Sequence, residues 1–167
     1  MKDLLFYEPL KEFMEQIPGG AFLTAGYNGK ANTMTIGWAN AGIIWGKPIL
    51  MVMVRYSRYT YELLEKSKEF TVSIPLSGDL KKQLALCGSK SGKDIDKFKE
   101  AGLSPVQGKT VAAPIIKECD LFYECKVVYQ QAMEPALLKT DIKENFYPGG
   151  NYHVLYYGEI AACYKRE

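Results

Sequence analysis

The segment from Cys87 to Phe98 concentrates the residue types that bind anions. Its first part consists of small, hydroxylated and cationic residues, namely Gly88, Ser89, Lys90, Ser91, Gly92 and Lys93. Backbone N–H groups and serine hydroxyls donate hydrogen bonds, lysines add positive charge, and Asp94 and Asp96 suit the first turn of a following helix. The segment therefore predicts a phosphate cradle. On composition alone, a solvated loop that caps an ordinary helix is an equally good interpretation.

The same segment differs from the P-loop of nucleotide triphosphatases. That motif places four residues between its first glycine and the Gly-Lys pair, and a Ser or Thr follows the lysine. Here only three residues separate Gly88 from Gly92, and Asp94 follows Lys93. A nucleotide triphosphatase is therefore excluded.

Composition narrows the class of protein further. With 167 residues, of which 47% are hydrophobic, the chain is expected to form one domain, residues 1–167, around its own core. The net charge is +2 and the lysines are scattered among acids, so the chain lacks the basic patch that is typical of nucleic-acid-binding proteins. No apolar run approaches the roughly 20 residues of a membrane span, and the N-terminus lacks the apolar core of a signal peptide. We expect a cytoplasmic protein without nucleic-acid or membrane partners.

Cysteine and histidine usage argues against disulfides and metals. The four cysteines lack CxxC spacing and His153 is the only histidine, so reduced thiols and no metal site are expected. Cys87 adjoins the predicted phosphate loop. It is interpreted as a small buried hydrophobic residue rather than a redox-active thiol.

Apolar spacing and stop signals predict a series of short helices. A first amphipathic helix is expected over residues 5–16, where Pro18 and two glycines end it. Further helices are expected over residues 61–67, over residues 80–87 with Asp79 as cap, and from about Asp94 to Gly102.

Strands outnumber these helices. The Asn28-Gly29 pair lies between the apolar segments 21–26 and 31–38, which is typical of a tight hairpin. Further strands are predicted over residues 49–54, 69–75, 121–130 and 152–164. Because no regular strand–helix alternation with a glycine-rich dinucleotide turn occurs, the fold class is mainly β, an antiparallel barrel with peripheral helices.

Residues 131–150 fit this plan least well. A short helix is predicted over residues 136–139, followed by a loop around Pro148. An excursion of this length is commonly a lid or a dimer arm.

Three segments taken in order resemble the flavin reductase-like family of FMN-binding split barrels. They are Asn32-Thr33-Met34-Thr35-Ile36-Gly37-Trp38, then residues 55–60, then Ser89 to Phe98. The resemblance extends to residues 48–52, 70–75, 101–105 and 152–160, and so covers nearly the whole chain except residues 131–150. The Ser-Gly-Lys-Asp-Ile-Asp-Lys-Phe run is most similar to the flavoredoxin-like branch. The resemblance implies an antiparallel split β-barrel.

The resemblance also implies an FMN site. Phosphate contacts are expected from Arg55, Ser57, Arg58, Tyr59, Thr60, Ser89, Ser91 and Lys93. The strand that carries Asn32, Thr33, Met34, Thr35 and Trp38 is expected to pass along the isoalloxazine ring, where backbone N–H groups tune its electron affinity. His153 either helps to position a nicotinamide or a flavin edge, or is a half-buried structural histidine.

The expected function is therefore an FMN-binding oxidoreductase that takes hydride from NADH or NADPH and passes electrons to an unknown acceptor. The resemblance also implies a homodimer with its site near the two-fold interface. The alternative is a flavoredoxin-type carrier, whose FMN exchanges electrons with protein partners and not with a nicotinamide. A split barrel that has lost its flavin is disfavoured, because both predicted phosphate segments are intact.

Overall fold

The computed structural model describes residues 1–167, as ten strands, five α-helices and two 3-10 turns. The strands are β1 (Lys2–Asp3), β2 (Ala21–Tyr27), β3 (Lys30–Ile36), β4 (Ala39–Ile44), β5 (Lys47–Arg55), β6 (Glu69–Ile74), β7 (Pro105–Val106), β8 (Ile115–Ile116), β9 (Leu121–Ala132) and β10 (His153–Lys165). The helices are α1 (Leu10–Gln16), α2 (Tyr59–Ser67), α3 (Lys81–Ser89), α4 (Lys97–Ala101) and α5 (Thr140–Phe146). The 3-10 turns are Ile17–Gly19 and Pro135–Leu137.

One antiparallel sheet organises the chain, in the order β3-β2-β6-β9-β10-β5-β4, with β1 paired to β10. The path is open, and β3 and β4 lie at its ends. Strands β7 and β8 form a separate small ribbon. The predicted fold class, a mainly β antiparallel split barrel with peripheral helices, is confirmed.

Two hydrophobic cores hold the sheet and the helices together. The larger core contains 22 buried residues and fills the inside of the curved sheet, with Tyr123 and Tyr156 among its largest side chains. The smaller core of nine residues, among them Phe122 and Cys87, lies on the other face of the sheet, under α3. Strand β9 is buried from Leu121 to Cys125 because it contributes alternate residues to both cores.

The hairpin predicted from Asn28 and Gly29 is confirmed. Both residues have positive φ, at 48° and 75°, and join β2 to β3 in register. Strand β4 was missed by the sequence analysis. It pairs with β5 through a turn at Trp45 and Gly46, with φ of 55° and 68°, and a tryptophan is an unusual residue for that conformation.

Two predicted helix starts are wrong. The first helix begins at Leu10 rather than at residue 5, since Pro9 occupies its N-cap and disfavours helical backbone in the residue before it. The fourth begins at Lys97 rather than near Asp94. There the Asp96 carboxylate caps the helix by accepting from the N–H groups of Phe98 and Lys99 at 3.1 and 3.2 Å.

Asp79, the predicted cap of α3, is not at the N-cap position, which Leu80 occupies. Asp79 accepts a 3.3 Å hydrogen bond from the Lys81 N–H.

The excursion over residues 131–150 is also organised differently from the prediction. Its predicted helix over residues 136–139 is replaced by the 3-10 turn Pro135–Leu137, and α5 follows it. We call residues 133–151 the arm. No helix of the chain is both long enough and apolar enough to span a membrane.

Gly158 lies at a closely packed point of the sheet interior. A Cβ atom there would lie 2.6 Å from two ring atoms of the buried Phe70 and 2.7 Å from Cβ of Cys125. We predict that Gly158→Ala lowers the free energy of unfolding by about 2 kcal/mol, as measured by urea denaturation. Gly42→Ala is the matched strand control, since nothing lies within 4 Å of its added methyl group. Equal denaturation midpoints for the two variants would contradict this packing.

Candidate functional site

Two adjoining hollows form one cleft beside β3. The first, the polar end, is lined by Asn32, Met34, Ser57, Arg58, Tyr59, Thr60, Ser89, Lys90, Ser91, Gly92 and Lys97. The second, the aromatic end, is lined by Met34, Thr35, Ile36, Gly37, Trp38, Met53, Arg55, Arg58 and His153. Met34 and Arg58 line both hollows, so they are parts of a single site.

Lys97 is the most unusual residue of the polar end, and the sequence analysis missed it. Its side chain is 3% exposed, and its ammonium group donates to the carbonyls of Thr33 at 3.0 Å and Cys87 at 2.8 Å. No carboxylate pairs with it, and burial lowers the pKa of Lys97 to about 8. A buried cation held only by carbonyl oxygens favours an anion in the adjoining cleft.

Arg58 adds a second positive charge without an acid partner. Its guanidinium donates to the Gly88 carbonyl at 2.8 Å. Burial, and then the charge of Arg55, lower the pKa of Arg58 from its ordinary value, although an arginine remains charged at neutral pH. Thus two cations from different elements meet at the polar end.

The start of α2 closes this end of the cleft. Its N-cap is Arg58, and no side chain caps the first N–H groups of the helix. Asn32 fixes the helix to β3 by donating to the Thr60 hydroxyl at 2.8 Å. Gly92 lies so close to Asn32 that a Cβ would come within 1.9 Å of its amide oxygen, which explains why glycine is needed there.

The structure divides the predicted Ser89 to Lys93 cradle. Ser91 lines the polar end and accepts from the Lys93 N–H at 3.2 Å. Ser89 also lines it, but its hydroxyl donates to the Ala85 carbonyl within α3 at 2.8 Å. The Lys93 side chain forms an ion pair with Glu62 and lines a neighbouring open hollow instead of the polar end. Of Lys93 and Lys97, it is therefore Lys97 that lines the polar end.

The predicted ring-lining strand is only partly directed at the cleft. Met34 and Thr35 line the aromatic end with the Ile36–Gly37 backbone and Trp38, whereas Asn32 belongs to the polar end. Thr33 points away from the cleft. Its hydroxyl accepts from Thr24 at 3.0 Å and donates to the Leu23 carbonyl at 3.3 Å inside the sheet. Thr33 contributes its backbone carbonyl, which holds Lys97.

Arg55 and Ser57 contact the arm. The Arg55 guanidinium donates to the carbonyls of Asn151 and, at 3.1 Å, of Phe146, and it lies 4.9 Å over the Tyr147 ring. The Ser57 hydroxyl accepts from the Asn151 amide at 2.8 Å. Both residues line the cleft, yet their polar groups hold the arm against it.

His153 lies at the aromatic end and is 7% exposed. A 2.8 Å hydrogen bond joins its Nδ1 to the Tyr147 hydroxyl, and its ring packs 5.4 Å from Trp38. Burial, with the charges of Arg55 and Arg58, lowers the pKa of His153 to about 4. The imidazole is therefore neutral at neutral pH.

All four cysteines are buried and unpaired. Burial raises the pKa of the Cys87 thiol to about 11 and that of Cys163 to about 12. Cys87 uses its backbone carbonyl, rather than its sulfur, to hold Lys97. No three His, Cys, Asp or Glu side chains come together in an arrangement that would hold a metal ion.

The lowered pKa of His153 predicts a pH-dependent stability. In the unfolded chain this histidine takes up a proton below about pH 6.5, whereas in the folded chain it stays neutral down to about pH 4. Above pH 6.5 the histidine is neutral in both states and does not affect the free energy of unfolding. As the pH falls from 6.5 toward 4, only the unfolded chain takes up the proton, and the free energy of unfolding decreases. Between pH 7 and pH 5 we expect this histidine to cost about 2 kcal/mol of unfolding free energy.

The measurement is urea denaturation at both pH values for the wild type and for His153→Gln. The variant should lose most of that difference, whatever its stability at pH 7. A pH dependence that is identical in the two proteins would show that His153 titrates normally.

Comparison with known proteins finds structures that match most of the chain. Flavoredoxin from Methanosarcina acetivorans is 34% identical with a TM-score of 0.67, over 89% of this chain and 68% of that one. Flavoredoxin from Desulfovibrio vulgaris is 29% identical with a TM-score of 0.68, over 88% of this chain and 69% of that one. An uncharacterized protein of Archaeoglobus fulgidus is 35% identical over 99 residues, which are 59% of this chain. That match spans only 55% of the relative's own length.

The flavin reductase like domain model matches residues 14–167, from α1 to the C-terminus. This stretch includes both ends of the cleft, the arm and every strand except β1. The family resemblance is therefore confirmed, and the chain belongs to the flavin reductase-like domain family.

Proposed function

We propose that this chain binds FMN in the cleft and acts as an FMN-dependent oxidoreductase that accepts hydride from NADH or NADPH. The observation that carries the proposal is a pair of cations, the buried Lys97 and the half-buried Arg58, which lack carboxylate partners at one end of a cleft whose other end is aromatic. A phosphate supplies the missing negative charge, and a planar ring suits the aromatic end.

The side chains present fit a flavin mononucleotide. Lys97, Arg58 and the uncapped start of α2 would hold the phosphate, with the Ser91 hydroxyl beside them. The β3 backbone from Met34 onward would lie along the ring, where its N–H groups and carbonyls meet polar ring atoms. In this arrangement Arg55 is a contact of the arm rather than a phosphate ligand.

Bound FMN supplies the hydride chemistry, and the protein supplies position and environment. Trp38 and Met53 contribute apolar walls to the aromatic end. His153 is held by Tyr147 in a fixed orientation, and its lowered pKa keeps it uncharged, so it contacts a nicotinamide or a flavin edge without adding a proton. No nucleophile of the chain is required for this chemistry.

The alternative is a flavoredoxin-type carrier, in which FMN exchanges electrons with protein partners and does not react with a nicotinamide. The specific observation in its favour is the similarity to two flavoredoxin structures, at 34% and 29% identity. The two functions differ in the electron donor, which is a nicotinamide in the first and a protein in the second.

We further propose that the chain forms a homodimer. The β4–β5 hairpin exposes Ile43 and Trp45, and the Trp45 ring packs on Tyr129 and Tyr157 at 5.9 and 6.2 Å between centroids. This apolar patch lies on the outer face of the sheet, where a second copy would cover it.

The phosphate assignment predicts a contrast between two lysines. Lys97→Met should weaken FMN binding by roughly 1–3 kcal/mol, because a charge-assisted hydrogen bond is lost, while riboflavin affinity changes little. Lys93→Met is the matched control and should leave both affinities nearly unchanged, since that lysine pairs with Glu62. Equilibrium dialysis or fluorescence titration measures all four values. Equal losses of FMN and riboflavin affinity in Lys97→Met would indicate damage to the fold instead.

The same lysine makes FMN binding pH-dependent. Because the pKa of Lys97 lies near 8 without the anion, raising the pH from 7 to 9 discharges it, and FMN affinity should fall by up to about tenfold. Riboflavin lacks the phosphate and serves as the control. An FMN affinity that is constant over this range would place the phosphate elsewhere.

Anaerobic visible spectra distinguish the two functions. If the chain is a nicotinamide-dependent oxidoreductase, NADH or NADPH will bleach the bound flavin bands within seconds to minutes. Bleaching by dithionite alone would support the carrier, and purified protein that retains no flavin at micromolar concentration would reject both.

The homodimer predicts a mass near twice the 18.8 kDa of the chain in light scattering at micromolar concentration. Trp45→Lys places a charge in the exposed patch and should shift the mass toward the monomer. Leu137→Lys, at an exposed position outside the patch, is the control. A monomeric wild type with FMN bound would contradict the proposal.

A further inference from the structure

A further hollow, which we call the chamber, adjoins the aromatic end of the cleft. It has a volume of about 380 Å³. It is lined entirely by hydrophobic residues: Trp38, Met53, Met133, Leu138, Ile142, Phe146 and Tyr147. Trp38 and Met53 also line the aromatic end, so the two hollows share these two side chains.

The arm builds most of this chamber and is fixed by directional contacts. Arg55 donates to the carbonyls at both ends of residues 146–151, and Ser57 accepts from Asn151 at 2.8 Å. The Phe146 ring meets Trp38 edge-on at 5.2 Å. The walls are therefore held against the barrel by the same residues that border the cleft.

The lining selects a flat, uncharged molecule. Three of its seven residues are aromatic and two are methionines, whose flexible thioethers pack well against rings. A phosphate or a carboxylate would lose its hydration there without gaining a partner. The Tyr147 hydroxyl forms a hydrogen bond with His153, which is uncharged at neutral pH. This bond between the chamber and the cleft therefore joins two neutral groups. The volume lies in the range of small-molecule sites.

We propose that the chamber is a binding site for a flat aromatic quinone, which serves as electron acceptor beside the flavin. The acceptor role rests on the proposed function, whereas the binding site does not. Reduction of the quinone to the hydroquinone takes up one hydride, which bound FMN in its reduced form would supply, and one proton from water. Two electrons are transferred in this way, and the charges balance.

The experiment uses the full chain and the probe 2-methyl-1,4-naphthoquinone. The chain has two tryptophans, so a Trp45→Phe background leaves Trp38, in the chamber wall, as the only tryptophan. Quenching of its fluorescence gives the dissociation constant of the quinone, with and without added FMN. We expect saturable binding in both cases.

Leu138→Phe and its neighbour Leu137→Phe form a matched pair. Leu138 lines the chamber, whereas Leu137 is 84% exposed and does not. Filling the chamber with Leu138→Phe should weaken quinone binding at least tenfold, and Leu137→Phe should leave it unchanged. Ile142→Phe fills the chamber from α5 and should act as Leu138→Phe does.

Three results would overturn the proposal. One is equal quinone affinity in the filled and control variants. Another is competition between FMN and the quinone, which would place the probe in the cleft itself. The third is a change of oligomeric mass in both filled variants, which would make the chamber a subunit contact. Quinone binding that follows the expected pattern in a chain that binds no FMN would support the chamber and reject the proposed function.

Discussion

The hydrogen bonds of the buried Lys97 ammonium determine how the candidate site is assembled. Lys97 stands at the start of α4, and its two acceptors belong to β3 and to the end of α3. One side chain thus ties two peripheral helices to the edge of the sheet. Its cost is a positive charge removed from water without a carboxylate to balance it. The hydrogen bonds of Lys97 hold these elements together, and its charge favours anions in the polar end of the cleft.

Beside that charge, a single strand runs along both ends of the cleft. Strand β3 contributes Asn32 at the polar end and Thr35 at the aromatic end, while Met34 lines both. The long strand β10 completes the arrangement, because it places His153 opposite Arg55 in the register with β5.

The regular parts of the fold followed from the sequence because their signals are local. Apolar segments and an Asn-Gly turn predicted β2 and β3, and the family resemblance predicted the split-barrel fold. Strand β4 escaped detection since its turn contains Trp45, a residue that local rules do not place at positive φ. The arm was equally unpredictable, because its position depends on Arg55 and Ser57, which are about 90 residues away in sequence.

The site itself was predicted as a set of segments, but not as a set of side-chain directions. Sequence spacing identified the lysine-rich loop and could not distinguish Lys93 from Lys97. That distinction depends on Glu62, which draws Lys93 away from the cleft, and on the Asp96 cap, which starts α4 just before Lys97. Similarly, Thr33 lies on the predicted strand but faces Thr24 inside the sheet. Tertiary contacts decide these orientations.

The burial of the four cysteines has a consequence for the chemistry of a flavoprotein in air. Reduced flavins react with oxygen to give hydrogen peroxide, and peroxide attacks thiolates far faster than protonated thiols. With the pKa of Cys87 near 11 and that of Cys163 near 12, almost none of either thiol is ionised at neutral pH. In a chain that binds FMN as proposed above, almost no thiolate would therefore be available to react with peroxide. This low reactivity of the thiols follows from their hydrophobic packing.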